Sequence, residues 1–204
     1  MPFFQNKLYL NRNNYKPQGG GAMKKILISV LLALTIFTLT YSQQTPKIDG
    51  KLSPNEYNNY INLSNGDFRM FWKIVGDEVY ILMIGRTKGY VALGIAPTVK
   101  AGNADYIIGY VTDKEVKVLD YFAPEKHVAH TLDKKLGGKN NILEFAGTED
   151  NEYTYIEFKR KLITGDKYDK EFPKSGKLLI VWALGSSDDP SSMHAKRGYG
   201  ELNY

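Results

Sequence analysis

Short runs of alternating apolar and polar residues, separated by turn-forming residues, constrain the fold of this chain more than any other feature. In DFRMFWKIV, residues 67–75, an apolar side chain recurs at every second position from Phe68 onwards. That period is typical of a strand with one buried face. Gly76-Asp77 follows as a two-residue turn signal, and residues 78–84 (EVYILMI) continue as the partner strand. The sequence therefore predicts an antiparallel hairpin here.

Similar runs return along the rest of the chain. They predict further strands over residues 90–95, 105–111, 115–122, 142–146, 153–160, 177–184 and 198–204. The run at 177–184 (KLLIVWAL) is continuously apolar, which favours a central strand. Only residues 55–60 and parts of 125–136 fit a helical turn. About 8–11 short strands with so little helix predict an all-β fold, an antiparallel β-sandwich with its sites in the loops at the sheet ends.

Residues 23–42 (MKKILISVLLALTIFTLTYS) have the layout of a secretory signal peptide. Two lysines follow Met23, an apolar run extends from Ile26 to about Leu39, and small residues precede Gln43. The apolar run is about 14–16 residues long, whereas a membrane-spanning helix needs about 20. We therefore interpret this segment as a signal peptide rather than an anchor.

The segment before it, residues 1–22, fits no targeting signal. Its glycines 19–21 are what a ribosome-binding site would encode if it were translated in frame. We interpret residues 1–22 as an extension from a start codon assigned too early. One domain is then expected over residues 43–204, exported to the periplasm or the cell exterior.

The formal net charge of +5 comes from residues 1–42, the extension and the signal peptide together. Residues 1–42 hold five lysines and arginines and no acidic residue, which leaves 22 basic and 22 acidic residues in the rest of the chain. The charge therefore does not indicate a nucleic-acid partner. The chain has no cysteine, which excludes a disulfide framework, a thiolate metal site and a cysteine nucleophile. It also lacks the common hydrolase and nucleotide-binding motifs, so we expect it not to be an enzyme.

Two segments have a specific pattern, Gly89–Ile95 (GYVALGI) and Ala104–Val111 (ADYIIGYV), and the opening Lys47–Leu52, Val181–Ala183 and His194–Gly198 accompany them. Together these segments resemble the DOMON domain family. The resemblance implies an exported, immunoglobulin-like β-sandwich. Members of the family bind b-type heme or sugars and occur beside redox proteins, including membrane cytochromes. A heme b electron-transfer module with a membrane redox partner is therefore one expectation, and a carbohydrate-binding module without heme is the alternative.

The resemblance also implies where heme would be held. In heme-binding members one axial ligand is a Met in the loop after the GYVALGI strand, and the other is a His shortly before the last strand. His194 matches the second position, and we expect it in a loop spanning 186–197. The loop at 97–103 has no Met, but Lys100 lies beside the matching position, and a neutral lysine amine can bind heme iron. His194 and Lys100 are therefore the candidate axial ligands.

Other polar groups are expected to be solvated. His127 and His130, spaced to share one side of a helical turn, could bind a metal with Asp133, but three such residues in a loop are more often exposed. Asp105 and Asp120 are likewise expected to be solvated or turn carboxylates. The sequence thus predicts no metal site.

Overall fold

The computed structural model describes residues 44–125 and 130–204. The predicted extension (1–22), the predicted signal peptide (23–42) and His127 lie outside these residues. Within the described ranges, no helix has the length and apolar character needed to cross a membrane.

Eleven strands in the described part of the chain form two antiparallel sheets. They are β1 (Asn59–Leu63), β2 (Phe68–Val75), β3 (Glu78–Gly85), β4 (Val91–Ile95), β5 (Ala104–Val111), β6 (Val116–Ala123), β7 (Thr131–Leu132), β8 (Ile142–Glu149), β9 (Thr154–Lys161), β10 (Lys177–Gly185) and β11 (His194–Asn203). A short 3-10 turn (Ser64–Gly66) follows β1, and the four-residue helix α1 (Asp133–Leu136) follows β7. The five-stranded sheet has the order β1-β2-β3-β9-β8, and the six-stranded sheet β11-β10-β4-β5-β6-β7. The predicted antiparallel β-sandwich is confirmed.

The predicted hairpin is present with the expected partners, and other consecutive strands pair in the same way. β2 pairs with β3 from Phe68 opposite Gly85 to Val75 opposite Glu78, so Gly76-Asp77 is the turn. β5 pairs with β6, and β8 with β9. β10 lies between β11 and β4, as its continuous apolar run indicates.

The structure differs from the sequence analysis at two places. Residues 55–60, which could have held a helical turn, do not form one, and Asn59 pairs with Trp72 of β2 as part of β1. His194, expected in a loop, is the first residue of β11 and lies opposite Gly185. β11 extends this far because its pairing with β10 continues past a bulge at Leu184/Gly185, which satisfies the backbone groups of the segment.

The core lies between the two sheets. Because side chains alternate along a strand, one face of each sheet is apolar, and the two faces pack together. Phe68 of β2 stacks on Trp182 of β10 with ring centroids 5.4 Å apart, and both residues are almost completely buried. Each such side chain contributes about 1.5–3 kcal/mol by its removal from water.

Replacing Gly109 with alanine is expected to lower the free energy of unfolding by about 1–3 kcal/mol. Gly109 lies on the core face of β5, where an added Cβ would collide with Cγ2 of Ile156 on β9. Ile156 is fully buried and has little room to move. Urea unfolding measures the loss. If the clash is the cause, Ile156→Ala should relieve it. The double variant should then lose less unfolding free energy than the two single variants lose together, and a loss equal to that sum would contradict the prediction.

Candidate functional site

A cleft lies on the outer face of the six-stranded sheet, which points away from the five-stranded sheet. In β4, Val91, Leu93 and Ile95 belong to the core between the sheets, so Ala92 faces outwards. The outward face carries its own cluster of buried side chains: Tyr90, Ala92, Ala104, Tyr106, Ile108, Ala123, Val181 and Ala183. The cleft above this cluster has a volume of about 550 Å³, within the range of sites for small ligands and cofactors.

Small residues form the floor of the cleft. Ala92 of β4 and Ala183 of β10 are directly opposite each other, and both line the cleft. Gly94 follows on the same face of β4, but Val181 and the ring of Tyr106 already lie over it. At Ala92 and Ala183 the small side chains leave depth that a flat apolar ligand can occupy.

Two tyrosines join the sheet to the segments that border the cleft. The hydroxyl of Tyr90 donates to the carbonyl oxygen of Ser192 at 3.2 Å. The hydroxyl of Tyr106 donates to the carbonyl oxygen of Ala101 at 3.0 Å. Burial raises the pKa of Tyr106 to about 12, so this phenol stays protonated and keeps donating at neutral pH.

His130 forms part of the wall of the cleft. Its ring lies 5.6 Å from that of Tyr106 and 5.2 Å from that of Tyr121, measured between centroids. Its Nδ1 is buried and has no hydrogen-bond partner elsewhere in the described residues. Burial lowers the pKa of His130, and the nearby His194 lowers it further. The imidazole is therefore neutral at pH 7, the form that binds metal ions.

His194 lines the same cleft as His130. It is half-buried at the start of β11, and Arg197 Nη1 approaches its Nε2 at 3.5 Å. The structure thus brings together one histidine that the sequence singled out and one that it expected to be exposed. Nothing in the local sequence around His130 indicates this, because the ring reaches the cleft through the pairing of Leu132 with Tyr121.

Lys100 lies apart from this pair. It is exposed in the turn at 97–103 and has a positive φ of 52°. Its neighbour Ala101 lines the cleft, whereas Lys100 is not among the lining residues. Its assignment as an axial ligand stays a prediction.

Asp105 and Asp120, expected to be solvated, are instead 0% and 2% exposed. They lie on the core face of β5 and β6, opposite the face that carries the cleft, and Arg160 of β9 pairs with Asp105 across the sandwich. Asp133 is also completely buried. It belongs to a group of carboxylates with Asp166 and Asp169 rather than to an exposed loop.

Comparison with known proteins identifies the family of this chain and its relatives. A family model described as "DOMON domain" matches residues 64–185. DBH-like monooxygenase protein 1 of Homo sapiens is 32% identical over 125 residues, which cover 61% of this chain and 19% of that protein. The protein of the same name in Mus musculus is 31% identical over 138 residues, covering 68% and 21%. The chain therefore spans about a fifth of the length of these relatives.

A solved structure shares the fold. The cytochrome b domain of pyranose dehydrogenase from Coprinopsis cinerea superposes with a TM-score of 0.52 at 16% sequence identity. The superposition covers 70% of this chain and 80% of that one. At this identity, the likeness establishes the sandwich architecture and leaves the function to be argued from the cleft.

Proposed function

Because the chain belongs to the DOMON domain family, we propose that it is an exported module whose cleft binds b-type heme and passes electrons to a redox partner. The observation that carries this proposal is that His130 and His194 line one cleft with an apolar floor. Heme iron requires axial ligands within an apolar pocket, and imidazole is a common ligand. The neighbour that shares the fold is a cytochrome b domain, which supports the choice of cofactor.

The residues of the cleft fit such a group. His130 offers a neutral, buried imidazole whose Nδ1 has no partner from another of the described residues, and His194 offers a second imidazole. We assign these two as the axial ligands, in preference to the exposed Lys100. Arg197 and Lys135 also line the cleft, and their charges suit the two carboxylates that heme carries.

Bound heme would supply reversible one-electron chemistry, and the protein would control its surroundings. Ala92 and Ala183 leave room for a flat ring, and Tyr90 holds the segment at Ser192 against the sheet. This hydrogen bond fixes one border of the cleft and favours a fixed orientation of the ring. We propose that the domain acts as a binding module rather than a catalyst, and that its partner is a membrane redox protein.

The first test is the absorption spectrum of the purified protein titrated with hemin. We expect a Soret band, and both His130→Ala and His194→Ala should weaken hemin binding by more than about tenfold, since even the outer partners of metal ligands are worth about 10–100-fold. Lys100→Ala is the matched control and should bind hemin as the parent protein does.

Two results would contradict the proposal. One is an unchanged spectrum at saturating hemin. The other is an undiminished Soret band in the His130→Ala/His194→Ala double variant. Loss of the band in Lys100→Ala alone would restore lysine as the ligand. Retardation by a polysaccharide in affinity electrophoresis, without hemin uptake, would favour the carbohydrate-binding alternative.

A further inference from the structure

Carboxylates from separate segments converge on the core side of β5 and β6. Asp105 and Asp120 come from these two strands, Asp133 begins α1, and Asp166 and Asp169 lie in the segment between β9 and β10. We propose that this acidic cluster is a calcium-binding site that fastens α1 and the β9–β10 segment to the six-stranded sheet.

The spacing of the oxygen atoms suits one cation shared by neighbouring carboxylates. Ligand atoms of Asp105, Asp120 and Asp169 all lie within 4.8 Å of one another, and so do those of Asp133, Asp166 and Asp169. Two oxygens bound to the same Ca²⁺ at about 2.4 Å can be at most about 4.8 Å apart. Asp169 belongs to both groups and therefore connects them.

Buried oxygen atoms without hydrogen-bond partners are the independent observation that points to a cation. Both carboxylate oxygens of Asp133 and of Asp169, and Oδ1 of Asp105 and of Asp120, are buried without a hydrogen-bond partner in the part of the chain that the structure describes. Asp133 is 0% exposed, so water cannot easily satisfy it. Buried charged oxygens rarely remain unpaired, because their desolvation is costly.

The other oxygens of the two strand residues are occupied by the protein. Oδ2 of Asp105 accepts from Arg160 Nη1 at 2.6 Å and from the backbone N–H of Lys170 at 2.9 Å. Oδ2 of Asp120 accepts from the backbone N–H of Asn141 at 2.9 Å. Each aspartate is thus held by one oxygen while the other is left free for a ligand, the arrangement of oriented metal ligands.

The charge of the cluster is unbalanced. Arg160 forms an ion pair with Asp105, and no second salt bridge to the five carboxylates occurs within residues 44–125 and 130–204. The ammonium group of Lys170 donates instead to Asn103 Oδ1 at 3.1 Å. Burial and the neighbouring carboxylates raise the pKa of Asp120 to about 8 and that of Asp133 to about 7. A divalent cation would supply the positive charge that the protein lacks here.

The ligand chemistry selects the ion. All the groups are carboxylates, which suit hard cations and not the softer metals that prefer sulfur or imidazole. Ca²⁺ accepts several protein oxygens in irregular geometry, whereas Mg²⁺ tends to keep its waters and needs near-octahedral ligands. A site this rich in protein oxygens, with three of its five aspartates buried, therefore favours Ca²⁺.

The test compares thermal unfolding of the purified protein in EGTA, in CaCl₂ and in MgCl₂. Saturating CaCl₂ is expected to raise the Tm by about 5 °C or more, because a ligand that binds only the folded state stabilises it. Asp133→Asn and Asp169→Asn should lose this gain. Terbium luminescence gives a second measurement, since Tyr168, whose N–H donates to Asp166 Oδ1 at 3.1 Å, can sensitise a bound Tb³⁺.

The stability change caused by Asp169→Asn separates a calcium site from a merely structural cluster, because a calcium site predicts opposite signs with and without the ion. In EGTA, Asp169→Asn should be at least as stable as the parent protein because it relieves repulsion, and in CaCl₂ it should be less stable. Asp113→Asn, the same change at an exposed turn residue, should keep the full calcium gain. Equal losses for Asp169→Asn in EGTA and CaCl₂, or no calcium gain and no terbium signal in the parent protein, would overturn the proposal.

Discussion

Arg160→Met is expected to lower the free energy of unfolding by about 3–5 kcal/mol, the usual cost of removing one partner of a buried ion pair. The guanidinium group is 0% exposed. Its Nη1 donates to Asp105, its Nη2 to the carbonyl oxygen of Lys170 at 2.7 Å, and its Nε to that of Lys161 at 3.2 Å. Methionine fills much of the volume but leaves Asp105 as an unpaired charge inside the sandwich, so the loss reflects charge rather than packing.

Urea unfolding at pH 7, followed by circular dichroism, measures this loss. Lys161→Met is the matched control on the next residue of β9, where an exposed ammonium group lies 3.5 Å from Asp77. It should change the free energy of unfolding by less than about 1 kcal/mol. Asp105→Asn added to Arg160→Met should restore part of the stability, because the unpaired charge is then gone. Equal losses for Arg160→Met and Lys161→Met would contradict the prediction.

The hairpins could be predicted from the sequence because their signals are local. In β2 and β3 the alternation of side chains and the turn residues Gly76-Asp77 specify strand, turn and face together. The start of β11 could not be predicted in the same way. His194 is in a strand only because β10 offers it a partner across a bulge, and that pairing is not visible in the residues around it.

The burial of Asp105 and Asp120 had a signal that the interpretation as solvated carboxylates overlooked. In ADYIIGYV, Asp105 is in phase with Ile107, which belongs to the core, and Asp120 is likewise in phase with Val118. Alternation alone therefore points both carboxylates inwards. What alternation could not reveal is the compensating charge, because Arg160 is 55 residues away from Asp105 along the chain.

His130 illustrates a different limit. Its tyrosine neighbours come from β5 and β6, so its surroundings depend on how a segment after β6 folds back along the sheet. A histidine in a polar stretch is expected to be exposed unless it is known that the segment folds back onto the sheet. The family resemblance pointed to His194 but could not supply a second histidine, since the heme-binding pattern expects a methionine elsewhere.

Ala183→Trp is expected to abolish ligand uptake by the cleft, whichever ligand the cleft takes. Ala183 lies on the floor, opposite Ala92 and beside Arg197 of β11. An indole at this position would occupy the depth that the small residues leave. Because the new side chain enters a cleft rather than a packed core, the free energy of unfolding should change by less than about 1.5 kcal/mol.

Leu179→Trp is the matched control for this change. Leu179 lies four residues before Ala183 on β10 and faces the same side of the sheet. It is 53% exposed and does not line the cleft. Hemin titration of the two variants, with thermal unfolding of each, separates a blocked cleft from a damaged fold. A folded Ala183→Trp variant that still develops the full Soret band would show that hemin binds outside this cleft. Loss of the band in Ala183→Trp alone, with both variants folded, would place the ligand on the outer face of the six-stranded sheet, in the cleft that His130 and His194 line.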